Sequence, residues 1–217
     1  IRQFSDDIGK NNSLFIHLTL VPYMKASGEL KTKPTQHSVK TFLEAGVQPD
    51  ILVCRTERHL DDDIKRKIAL FCNVSKEAVI ESIDADTIYE VPLELRRQRL
   101  DDVVLDLLQV EAPATDLAEW SRMVERVKNP SSGTVRIAVV GKYTQLVDAY
   151  KSVQQGLIHG GIANDVKVEI GWVSSESYEA GELGHHFEGF DGLLIPGGFG
   201  DRGIEGMLMA IRWAREN

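Results

Sequence analysis

The chain alternates between short apolar runs and helix-sized amphipathic segments, and that alternation restricts it to layered α/β architectures more than any other feature. "LFIHLTLV", "HSVKTFLEAG", "DILVCR", "DDDIKRKIALFC" and "AVIES" succeed one another as strand, helix, strand, helix, strand. The run from Asp50 to Arg55 is apolar without alternation, which suits a parallel strand buried on both faces. From Asp61 to Phe71, Ile64, Ile68 and Phe71 recur at helical spacing, so all three are expected on the core face. Asp61, Asp62 and Asp63 precede that face and compensate the helix dipole better than they would bind a cation.

The pattern breaks at "RVKNPSSGTV", where Asn, Pro, Ser and Gly cluster, and then restarts. "TVRIAVVGKY", "DAYKSVQQGLIHGG", "VKVEIGWV", "FDGLLIPGGFG" and "GIEGMLMAIRWAREN" follow as strand, helix, strand, strand, helix. Glycines at strand C-termini in such a series mark an open doubly wound sheet of the Rossmann-like or flavodoxin-like kind. The expected organisation is one α/β domain over residues 1–110, a linker over 111–133 and a second α/β domain over 134–217. "IRQFSDDIGKNN" opens in mid-helix style and "MAIRWAREN" closes on a helix, so the chain reads as a piece of a larger protein.

With 217 residues and a formal net charge of −8, the chain has ordinary globular composition, and its acidity argues against general nucleic-acid binding. No apolar run reaches the roughly 18 residues of a membrane span, and no signal peptide is recognisable, so a cytoplasmic protein is expected. Cys54 and Cys72 sit in apolar contexts without metal-ligand spacing and read as buried reduced thiols. The histidines share no spacing with acids or cysteines that would suggest a metal site.

Two stretches carry chemistry. In "GELKTKPTQHSVK", Lys31 and Lys33 lie two apart and share a face if the segment is extended, Pro34 is expected to keep Lys33 out of the helix, and Thr35 is placed to cap a helix starting near Gln36. Two ammonium groups beside a helix N-terminus attract phosphate, although a solvated basic loop has the same composition. In "LLIPGGFGDRG", the glycines after an apolar strand let the backbone turn and present N–H groups, as an oxyanion hole requires; a plain strand-to-loop turn has the same glycines. Neither a dinucleotide fingerprint nor a G-x-x-x-x-G-K-[ST] phosphate loop occurs in the 217 residues.

Taken together, "HLTLVPYMKASGELKTKPTQHSVK", "QPDILVCR", "KIALFCNV", "VVGKY", "DAYKSV" and "LIPGGFGDRGIEGM" closely resemble the CTP synthase family of the bacterial kind. That family joins a Rossmann-like amidoligase domain, which makes CTP from UTP, ATP and ammonia, to a class I glutaminase domain that frees ammonia from glutamine. The resemblance implies that Lys31, Thr32, Lys33, Pro34, Thr35 and Gln36, with Lys67 and Phe71, hold UTP, or CTP as feedback inhibitor. It implies ATP contacts at Ile83, Asp84 and Ala85, a glutamine and oxyanion site at Gly197, Gly198 and Phe199, and a GTP-activation segment at Arg202, Gly203 and Glu205. Gly141 to Ser152 corresponds to a lid over the glutaminase. The same resemblance implies Mg²⁺ ligands and a phosphate loop before Ile1, a cysteine nucleophile after Asn217, a homotetramer, and an isolated 217-residue chain that is inactive. The alternatives are a non-catalytic pyrimidine-nucleotide sensor or scaffold, and a lone glutaminase that would leave Ile1 to Arg99 without a purpose.

Overall fold

The computed structural model describes residues 1–9, 12–178 and 183–217, which divide into two compact units, Ile1–Leu117 and Ala118–Asn217. In the first unit, helix α1 (Arg2–Ile8) precedes strand β1 (Ile16–Leu20), a small antiparallel pair β2 (Tyr23–Met24) and β3 (Glu29–Leu30), helix α2 (Lys33–Glu44), strand β4 (Ile51–Thr56), helix α3 (Asp62–Cys72) and strand β5 (Val79–Ile83). Helices α4 (Val91–Arg97) and α5 (Leu100–Leu108) complete it. The sheet order is β1-β4-β5, all parallel, with Ile16 opposite Ile51 and Leu52 opposite Val79.

The unbroken apolar run of β4 is explained by its two covered faces. Leu52 and Cys54 pack with Val39 of α2 and with Ile68 and Cys72 of α3. Ile51 and Val53 face the other way, among Leu95 of α4 and Val103 and Val104 of α5. On α3 the core face is Ile64, Ile68 and Cys72, whereas Phe71 is 63% exposed. Phe71 therefore departs from the expected face, because a four-residue step from Ile68 reaches Cys72 and leaves its neighbour outside. Asp61 caps α3 as its composition implies: its Oδ1 accepts from the Ile64 N–H at 2.8 Å, while Asp62 and Asp63 fill the first turn.

The second unit begins with helix α6 (Ala118–Lys128), which occupies part of the stretch expected to be linker. Strand β6 (Thr134–Gly141), helix α7 (Lys151–Asn164), strand β7 (Lys167–Ser174), the short helix α8 (Leu183–Phe187), strand β8 (Gly192–Leu194) and helix α9 (Ile204–Glu216) follow. The order β7-β6-β8, all parallel, is the start of a flavodoxin-like winding. Ala138 and Val140 of β6 pack against Tyr178, Phe187 and Ala210, with the Trp213 ring 5.2 Å from that of Phe187. The stretch from Glu176 to Glu188, which shows no pattern in the sequence, thus supplies core residues; its residues 179–182 lie outside those described. Two helices approach the sheet at backbone distance. A Cβ at Gly161 of α7 would fall 2.7 Å from Val168 Cγ2, and one at Gly206 of α9 would fall 1.7 Å from the Ser175 carbonyl oxygen.

Candidate functional site

Parallel strands place all their C-terminal ends along one edge of a sheet, and the loops there are the usual ligand sites of α/β folds. In the first unit, the segment from Lys31 to Gln36 follows β1 through the β2–β3 pair, and Ile83 ends β5 with Asp84 and Ala85 directly after it. Helix α2 starts at Lys33, with Thr32 in helical conformation as N-cap and Pro34 in the first turn, so the expectation that Pro34 excludes Lys33 from the helix is overturned. The first turn tolerates proline because its missing N–H would have had no partner there. Thr35 is not the cap either. It is fully buried, and its hydroxyl donates to the Leu20 carbonyl at 2.9 Å, tying the start of α2 to the end of β1. Gln36 donates to the Thr32 hydroxyl at 3.1 Å.

This framework leaves the charges outside. Lys33 is exposed at the helix start, and Lys31 forms an ion pair with Glu29. Hydrogen bonding and attraction from Lys31 hold the Glu29 carboxyl below the ordinary carboxylate range, and Lys67 of α3 contributes in the same direction. Lys31 thus holds the Glu29 carboxylate, while Lys67 adds to the positive field there without an ion pair to Glu29 among the described residues. A carboxylate paired with Lys31 occupies the place that an anion would take. At the end of β5, Arg55 donates to the Ser82 and Ile83 carbonyls at 3.0 and 3.2 Å and pairs with Asp84. The backbone from Ser82 to Asp84 is held by a side chain from the neighbouring strand, whereas the Asp84 side chain is exposed.

In the second unit the strand order reverses between β6 and β8, because β7 lies on one side of β6 and β8 on the other. That reversal opens a crevice at the C-terminal ends of β6 and β8. Two loops meet there: Gly141 to Tyr143, and Ile195 to Gly203. Pro196 is buried, Gly197 and Gly198 are exposed, and the Phe199 side chain is 99% exposed. Lys142, which the sequence did not single out, is only 8% exposed, and its ammonium donates to the Phe199 and Gly200 carbonyls at 2.9 and 2.8 Å. Tyr150 Oη accepts from the backbone N–H groups of Lys142 and Tyr143 at 3.0 and 3.3 Å. Arg202 lies over the Tyr143 ring, 5.4 Å from its centroid, and its guanidinium is 3.5 Å from Glu176. Gly203, at φ 72°, opens α9 in the left-handed region; a Cβ there would fall 2.3 Å from Ser175 Oγ. Glu205 is exposed in the first turn of α9.

The family model for the CTP synthase N-terminus matches residues 1–110, and that for class I glutamine amidotransferases matches residues 145–217. The chain belongs to the CTP synthase family. It is 55% identical over all 217 residues to the CTP synthase of Ruminiclostridium cellulolyticum, and 54% identical to those of Desulfitobacterium hafniense and Syntrophus aciditrophicus. The chain spans about 40% of the length of these CTP synthases. The α/β fold, with a synthetase part and a class I amidotransferase part, agrees with the expectation from sequence.

Within the CTP synthase frame, neither cysteine has the surroundings of a nucleophile. Cys54 and Cys72 are buried in the first unit, burial raises both thiol pKa values, and that of Cys72 reaches about 11. Among the described residues no three His, Cys, Asp or Glu side chains gather into a metal site. No helix among the described residues is long and apolar enough to cross a membrane.

Proposed function

We propose that the complete protein to which this chain belongs converts UTP to CTP with ATP, taking ammonia from glutamine. The γ-phosphoryl group of ATP passes to uracil O4, ammonia adds at C4, and phosphate leaves with O4. The observation that carries the reading is Lys31 paired with Glu29 beside the start of α2, with Lys67 adding to the positive field on that carboxylate, in a chain whose two parts match a CTP synthase N-terminus and a class I glutamine amidotransferase.

In this reading Lys31, Lys33 and Lys67 draw in the triphosphate of UTP or of inhibitory CTP, with Lys31 leaving Glu29 to do so. Buried Thr35 and the Gln36–Thr32 hydrogen bond fix the backbone on which Lys31 and Lys33 stand, so these residues position rather than make bonds. Phe71, exposed one turn beyond Lys67, borders the base. ATP meets Ile83, Asp84 and Ala85 mainly through backbone groups, which suits a segment held by Arg55. Glutamine binds at Gly197, Gly198 and Phe199, where loop N–H groups face the oxyanion of thioester formation. GTP activates through Arg202, Gly203 and Glu205. Mg²⁺ belongs to the complete protein with ligands outside this chain, and the assembly is a homotetramer in the cytoplasm.

The 217-residue chain alone is inactive in this reading, because it contains no G-x-x-x-x-G-K-[ST] motif and its two thiols are buried. The test is Lys31→Ala in the complete protein. UTP affinity by calorimetry falls about tenfold, corresponding to about 1.5 kcal/mol for one hydrogen bond to a charged group. Glutamine hydrolysis by itself is retained. Unchanged UTP affinity refutes the assignment, and nucleotide binding without CTP formation by the wild-type protein selects the sensor instead.

A further inference from the structure

The side chain in the second unit with the strongest unassigned role is that of Lys142. The residue is only 8% exposed, and among the described residues no carboxylate lies within ion-pair distance of its ammonium. Two main-chain carbonyls, those of Phe199 and Gly200, take the place of a counter-ion. A largely buried lysine must have its ammonium hydrogen bonds made, so these two bonds are held firmly.

They also dictate direction. No peptide bond among the described residues is cis, and in a trans peptide the C=O and the following N–H point opposite ways. With the Phe199 and Gly200 oxygens turned towards Lys142, the N–H groups of Gly200 and Asp201 are turned away from it, on the outer side of the loop. Among the described residues neither N–H has an acceptor. Gly200 adopts φ 76°, a left-handed conformation that glycine takes without strain. Gly198 lies over the same lysine: a Cβ there would sit 3.7 Å from Lys142 Cε. The lysine is anchored in turn, since Tyr150 Oη accepts from its backbone N–H, and a Cβ on the preceding Gly141 would meet that oxygen at 2.5 Å.

We infer that Lys142 is a positioning residue for glutamine hydrolysis: by holding the Phe199 and Gly200 carbonyls it fixes the far end of the glycine loop and so keeps the preceding Gly197–Phe199 stretch in place for the reacting amide. The inference rests on the glutaminase reading of the second unit. It assigns Lys142 no contact with substrate; the lysine acts through the loop. A basic side chain directly after a buried strand is thus used as an internal strut between the two strand ends that flank the crevice.

The test compares Lys142→Met, which keeps the volume and removes the donors, with Lys142→Arg, which keeps donors and charge, both in the complete protein. For Lys142→Met, kcat for glutamine hydrolysis falls about 10²-fold, the size of a lost oxyanion donor, with KM for glutamine moving less than about threefold. The loss is confined to the glutamine half: CTP formation supported by added ammonia persists, which also shows that the variant is folded. Lys142→Arg recovers at least about a tenth of wild-type kcat. Chymotryptic cleavage after Phe199, whose side chain is 99% exposed, accelerates at least about tenfold in Lys142→Met relative to wild type. Wild-type kcat in Lys142→Met, an equal loss with ammonia, or an unchanged rate of cleavage after Phe199 each overturns the inference. If the wild-type protein hydrolyses no glutamine, the reading in Proposed function fails, and the cleavage rate still decides whether Lys142 holds the loop.

Discussion

Replacing Gly206 by alanine should unfold the glycine-loop end of the second unit, whereas the same replacement at Gly160 should stabilise it. At Gly206 the new Cβ falls 1.7 Å from the Ser175 oxygen, 2.8 Å from its carbonyl carbon and 3.3 Å from its Cα. A carbon approaches a carbonyl oxygen to about 3.3 Å, so α9 and the turn after β7 must part by about 1.6 Å. All three obstructing atoms are backbone, and none can rotate aside. That displacement opens the core around Ala210, Phe187 and Trp213 and breaks the 2.8 Å hydrogen bond from Tyr178 Oη to the Gly206 carbonyl. Overpacking costs about 1–3 kcal/mol, and a clash with backbone atoms alone puts this one at the upper end, about 3 kcal/mol. For a unit of this size that lowers Tm by about 12 °C or more. At Gly160, in the exposed middle of α7, nothing lies within 4 Å of a new Cβ. Alanine there gains about 0.5–1 kcal/mol from the reduced freedom of the unfolded chain, or a few degrees. Thermal unfolding of the 217-residue chain, followed by circular dichroism, measures both. A Gly206→Ala protein melting within about 3 °C of wild type would show that α9 does not touch the β7 turn through backbone.

Lys67→Ala should weaken UTP binding by the complete protein about as much as Lys31→Ala does, and should lower the steepness of its salt dependence, as calorimetry at two ionic strengths would detect; equal slopes would remove Lys67 from the site. Gly198→Ala meets only ordinary contacts with Lys142, at 3.7 and 3.9 Å, so the variant should fold. It should nevertheless lose glutamine-dependent activity while keeping ammonia-dependent activity, and a matched loss of both would speak against an oxyanion role for the loop. Burial raises the Cys72 thiol to about 11 and the Tyr178 hydroxyl to about 12, both above their unfolded values. Between about pH 9 and 12 the folded state therefore holds more protons than the unfolded one, so stability is full below pH 9 and declines above it. Urea midpoints at pH 8 and pH 10.5 should differ accordingly, and the folded chain at pH 8 should not react with an aromatic disulfide reagent until urea is added.

The division of labour between sequence and fold is visible in particular residues. The alternation from Leu14 to Ser82 determined the order of strands and helices, because periods of 2 and 3.6 are local properties of the chain. The unbroken run of Ile51 to Cys54 announced a strand covered on both faces, and the Asp61 cap was equally legible, since a cap bonds within its own first turn. Three features escaped. Pro34 was read as a barrier and proved to be a first-turn residue, because the anchor of α2 is the contact of Thr35 with β1, which no local pattern encodes. The spacing of Phe71 suggests a core position that Cys72 fills instead, because α3 has apolar residues on both sides of the dividing line. Lys142 was unremarkable in "VVGKY", because its meaning depends on two carbonyls more than fifty residues later. Local chemistry thus told which segments form and which loops carry charge or glycine. Only the tertiary structure, by winding β8 beside β6 and packing Leu30 of β3 on the core that α3 lines, decided which of those charges meet and which main-chain groups they hold.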